Sequence, residues 1–91
     1  MTRQPTENEI QTVMTAFESI LPHINEDSGT VKGSGWRTVY DVLEQLTDYE
    51  LWLGLCNLEA AVFGSEQDLN VAHVTIFELF QLAYERRIES L

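Results

Sequence analysis

Glu59, His73 and Cys56 are the side chains whose chemistry sits least comfortably with their neighbours. Glu59 falls within TDYELWLGLCNLEAAVFG, residues 47–64, where a helical wheel projects it between two apolar flanks, near Trp52 and Phe63. An ionised carboxylate in such surroundings costs several kcal/mol unless it is paired or protonated. Three readings of it stay open. It is an internal partner of Arg37, His73 or a tyrosine, or reaches solvent through a gap between helices. It belongs to an interface completed by a second copy or another protein. Or it is a catalytic acid kept protonated by burial, although no second catalytic group stands at a fixed spacing beside it.

His73 falls on the inward arc of the last helical segment, among Leu69, Ile76, Phe80 and Tyr84, the position of a core histidine bonded to a carbonyl or carboxylate. A metal role needs companions, and the chain has no Glu-x-x-His, His-Glu-x-x-His or Cys-x-x-Cys; His23 simply follows Pro22. No metal and no cofactor are expected. Cys56 lies in mid-helix, with no histidine four residues away and no helix N-terminus beside it, and reads as a buried small hydrophobe rather than a nucleophile. The stretch GTVKGSGWRT lacks the Gly-Lys-Ser/Thr ending, the full Gly-x-Gly-x-x-Gly and the leading strand of a phosphate loop, so it reads as a linker. The chain is therefore not expected to be an enzyme.

The elements that must position these residues are helices. Thr6 and Glu9 form a capping-box pattern ahead of Ile10, Val13, Met14, Phe17, Ile20 and Leu21 at helical spacing. Pro22 should stop or kink that helix near Ile20 or Leu21. The three glycines and polar cluster of residues 25–35 predict a flexible surface loop. A second helix is expected from Ser34 or Gly35, with Trp36, Val39, Tyr40, Val42, Leu43 and Leu46 on one side, although WRTVYDV also holds many β-formers. Thr47 and Glu50 cap a third helix running to about Phe63, and a fourth should start near Ser65 or Asp68 and end near Glu89. The expected fold class is all-α: one domain over 1–91, a compact bundle of about four helices with a Gly-rich loop between the first two.

Charge narrows the function. The 91 residues carry 15 acids against 5 bases, formally −10, while 44% are hydrophobic, enough for a folded domain. Such a field repels nucleic acid phosphates and anionic lipid headgroups and favours basic partners. Direct nucleic acid or membrane binding is not expected. The single cysteine and the absence of a signal-peptide pattern in MTRQPTENE predict a cytoplasmic protein.

Acids recur on outward helical faces, and Asp41, Glu44, Glu78 and Glu85 are the candidates for a partner-binding surface. Residues four apart on a helix rise about 6 Å, near the spacing of successive phosphates, so an acidic bundle can imitate a nucleic acid track. Val71 and Leu82, on the otherwise polar side of the last helix, are candidates for a homodimer stripe, and the surplus of aromatic residues suggests surface left over for an interface. In size, acidity and helical pattern the chain is similar to small accessory proteins of phages and mobile elements and to immunity proteins of nuclease toxins, a likeness that assigns no residues. The expectation is a non-catalytic module whose acidic face binds a basic protein, as an inhibitor or nucleic acid mimic. The alternative is a homodimeric structural or regulatory adaptor using the aromatic and apolar stripe. Third comes a small-ligand binder or enzyme centred on Glu59 and His73.

Overall fold

Both predicted capping boxes form, and they start two of the four helices. The computed structural model describes residues 4–63 and 71–90, with side chains described at 4–58 and 71–90. In helix α1, Glu7–Ile20, the Thr6 hydroxyl accepts the Glu9 amide at 3.1 Å while the Glu9 carboxylate accepts the Thr6 amide at 3.0 Å. The same reciprocal pair, Thr47 with Glu50, opens helix α3, Asp48–Phe63. Each box satisfies amides that the helix itself leaves without partners. Pro22 ends α1 as expected, and the chain tightens into a 3-10 turn over Leu21–His23. Helix α2 covers Trp36–Gln45 after a 3-10 turn at Gly33–Gly35, and α4 covers Val71–Glu89. Periodicity thus outweighs the β-formers of residues 36–42, and no strand occurs among the described residues.

Residues 24–31 form a loop clasped upon itself. Ile24 and Val31 make a single antiparallel bridge, and Asn25 anchors the turn with its backbone and side chain, its Oδ1 accepting the amides of Asp27 and Ser28. Gly29 closes it with φ of 72°, a left-handed conformation that other residues adopt at a cost. The Gly29 carbonyl accepts the Thr75 hydroxyl, which ties the loop to the start of α4. Ile24 is buried beneath this clasp, so the loop contributes to the core.

The core is one apolar cluster drawn from all four helices: Val13, Ala16 and Ile20 of α1, Val39 and Leu43 of α2, Leu51, Leu53 and Leu58 of α3, and Ala72, Ile76, Leu79 and Phe80 of α4. Helices α3 and α4 form its densest pairing, with α1 packed on both α2 and α3. At Gly54 the two come so close that the Phe80 ring lies where a side-chain methyl would stand. The radius of gyration, 12.9 Å, matches the about 12 Å of a compact chain this long.

Arg87 holds the ends of three helices together. Its Nη1 donates to Asp48 Oδ1 at 2.9 Å, and its Nη2 donates to the carbonyls of Glu44 at 3.0 Å and Leu43 at 3.3 Å. Those carbonyls belong to the last turn of α2, which has no basic residue of its own and whose dipole favours a cation there. A partly exposed ion pair alone contributes about 0–1 kcal/mol. The carbonyl bonds add more, because a charged donor on the last carbonyls of α2 bonds more strongly than a neutral one. Arg87→Met should therefore destabilise the fold by about 1–3 kcal/mol, and Asp48→Asn by less than about 1 kcal/mol, measured by urea unfolding. Equal losses from the two variants would show that the capping bonds contribute nothing.

Candidate functional site

Helices α2 and α4 diverge on one side to leave a groove of about 320 Å³. Its floor is Leu43 and Leu79, both buried, with Ala83 beside them. Its walls are residues that a monomer gains little by exposing: Trp36 at 39%, Tyr40 at 48% and Leu82 at 53% of their full surface. Trp36 and Tyr40 stack, with ring centroids 5.6 Å apart and 28° between planes. They lie one helical turn apart, so the stack is fixed by α2 itself. Two of the chain's nine aromatic residues are thus left exposed here.

The four acids singled out from the sequence are all exposed, and one of them, Glu44, lines this groove. Asp41 lies three residues earlier on the outer side of α2. On α4, Glu78 is four residues before Leu82 and Glu85 three after it, so all three share a stripe about 10 Å long. Exposed Glu89 extends that stripe by one turn. The groove therefore has an apolar, aromatic interior with one lining carboxylate, Glu44, while the other acids stand elsewhere on the exposed surfaces of α2 and α4. Basic residues are present too: Arg86 and Arg87 line the end nearest the C-terminus of α4, and Arg37 is exposed near the start of α2. Arg87 is already engaged by Asp48 and the α2 carbonyls. The exposed surfaces of the two helices together carry five carboxylates, Asp41, Glu44, Glu78, Glu85 and Glu89, against Arg37 and Arg86 besides the engaged Arg87.

Val71 and Leu82, read as one stripe, have different surroundings. Leu82 belongs to the aromatic groove. Val71, though 43% exposed, packs its Cγ1 toward Gly29 in the clasped loop. Eleven residues of helix, about 16 Å, separate the two.

The buried polar constellation is only partly visible. The Glu59 side chain lies outside the described residues. His73 is half-buried on α4 and meets the edge of Phe17 of α1, ring centroids 5.1 Å apart. Arg37 is exposed on α2. Among the described residues no group of three or more histidines, cysteines or carboxylates is placed to hold a metal ion. Cys56 requires a correction: it is exposed, not buried. Helix α3 turns its Leu51, Gly54 and Leu58 side toward α1 and α4, and Cys56 falls on the other side, next to exposed Asn57.

The residues that sequence reasoning missed are the groove walls as a set, and Arg87. Trp36 and Tyr40 read as inward residues of α2 because they share its apolar side. A signal for Arg87 was available: α2 ends without a cation in a chain that has only 5 basic residues. No helix among the described residues is long and apolar enough to cross a membrane. No protein-family model, curated protein or solved structure matches this chain.

Proposed function

We propose that the chain is a non-catalytic protein-binding module that engages a basic partner through the α2/α4 face. The observation that carries this reading is the exposed Trp36, Tyr40 and Leu82 groove, lined by Glu44, between two helices that also expose Asp41, Glu78 and Glu85. Aromatic anchors in a groove supply most of the affinity at protein interfaces, while surrounding charges set the encounter rate and reject wrong partners. With a net charge of −10, the encounter favours a cationic surface. An inhibitor or nucleic acid mimic acting on a nucleic-acid-binding enzyme or toxin fits this chemistry, since such partners carry basic clefts. The same charge works against a homodimer, which would bring together two chains of −10 each.

Affinity capture from a lysate of the native host, eluted with a salt gradient, tests the reading. Wild-type chain should retain a basic protein that is released as salt rises from about 50 to about 500 mM. Leu82→Glu should abolish that capture, and the double variant Glu78→Lys with Glu85→Lys should weaken it by about tenfold or more with far-UV circular dichroism unchanged. Retention that ignores salt and survives Leu82→Glu would refute the proposal. A dimer by sedimentation that Leu82→Glu dissociates would establish the adaptor alternative instead.

A further inference from the structure

Asp48, the partner of the groove-lining Arg87, also borders a smaller recess of about 200 Å³, together with Tyr49, Trp52 and Tyr84. We propose that this recess binds a quaternary ammonium head group, a use distinct from the protein-binding face. Three of its four walls are aromatic, and all three rings are half-buried, so each is held in place yet reachable. Tyr49 and Trp52 meet at a tilt of 54° with centroids 5.7 Å apart, so they form two converging walls rather than a flat stack. Tyr84 closes the recess from α4. Aromatic faces carry negative potential and attract cations. The volume equals that of several waters, at about 30 Å³ each, which suits a bulky head group better than a bare ion.

The wall chemistry decides which cation. An ammonium or guanidinium arriving with N–H donors needs acceptors to replace its lost water. Among the described lining residues the only carboxylate is Asp48, one of whose two oxygens, Oδ1, accepts Arg87 at 2.9 Å. A methylated ammonium has no N–H to satisfy and gains from contact with three rings. The positive charges nearby are offset. Arg87 is neutralised by Asp48 and held on the carbonyls of Leu43 and Glu44, and the N-terminal dipole of α3 is opposed by Glu50 in its first turn. The remaining field is that of a chain with net charge −10.

The test follows the fluorescence of Trp52 in a Trp36→Phe variant, which leaves it as the sole tryptophan. Choline is titrated at constant ionic strength beside its neutral isostere, in which a carbon replaces the nitrogen. Choline should give a saturable change, and the isostere should bind about tenfold more weakly or worse. A peptide carrying trimethyl-lysine, titrated in the same way, separates the two sources of the head group; tighter binding by either one upholds the site and identifies its source. Tyr84→Leu should weaken choline by about tenfold with helicity retained. If that variant loses helicity, the comparison of choline with its isostere on the folded chain decides alone. Equal binding of the isostere, or no saturation by any of the three ligands, overturns the proposal.

Discussion

Replacing Phe80 with alanine is expected to bring this protein to the edge of unfolding. Phe80 is the largest fully buried side chain among the described residues, at 0% exposure, and lies where α4 meets α3. Truncating a buried phenylalanine costs about 3–5 kcal/mol, from lost transfer energy and the cavity left behind. A chain of this length holds only about 5–13 kcal/mol of total stability. The loss is thus a large share of the margin, and the urea midpoint should fall steeply with an unchanged slope. A loss below about 1 kcal/mol would mean that the core collapses freely around the site, contrary to the close fit of ring and helix.

The second large effect comes from adding one methyl group. Gly54→Ala in an isolated helix would be stabilising by about 1 kcal/mol, because glycine gives up more backbone freedom on folding. Here the added methyl would collide with the Phe80 ring, which presses against the bare backbone of α3. Overpacking a close-packed interior costs about 1–3 kcal/mol, which cancels or exceeds that gain, so the variant should lose about 0–2 kcal/mol net. The cause can be isolated. In a Phe80→Leu background the same Gly54→Ala change should cost less, giving a coupling of at least about 0.5 kcal/mol in a double-mutant cycle. A stabilised Gly54→Ala single variant would show that α3 and α4 do not approach as closely as described.

Helix starts and stops were legible because they depend on local chemistry. Thr6 with Glu9, Thr47 with Glu50, and Pro22 act on backbone groups within a turn of themselves, so reading them needs no knowledge of the rest of the fold. The buried face of α4 was also legible in Ala72, Ile76, Leu79 and Phe80. What failed was the assignment of which flank meets a neighbour. In α1 the core takes Ala16, whose small side chain drew no notice, while Met14 is 51% exposed. In α2 the apolar side is wider than the contact, so Val39 and Leu43 are covered while Trp36 and Tyr40 are left at the margin. A helical wheel orders residues around an axis but does not say how many other helices surround it. The same gap misplaced Cys56.

The candidate face shows a similar division. Asp41, Glu44, Glu78 and Glu85 could be picked from the sequence as outward residues, but which of them borders the groove, Glu44, depends on how α2 and α4 meet. Arg87 contributes to that meeting through carbonyl oxygens, which every residue possesses and which no sequence pattern marks.

The outward placement of Cys56 has a practical consequence for any attempt to weigh this protein in solution. Air oxidation could weld two molecules sulfur to sulfur without any matching shapes between them. A covalent pair of this kind would mimic self-recognition in a mass measurement and vanish on adding a reductant. The same lone handle accepts a single dye at a known point on α3, away from the groove, from which the arrival of a partner can be watched.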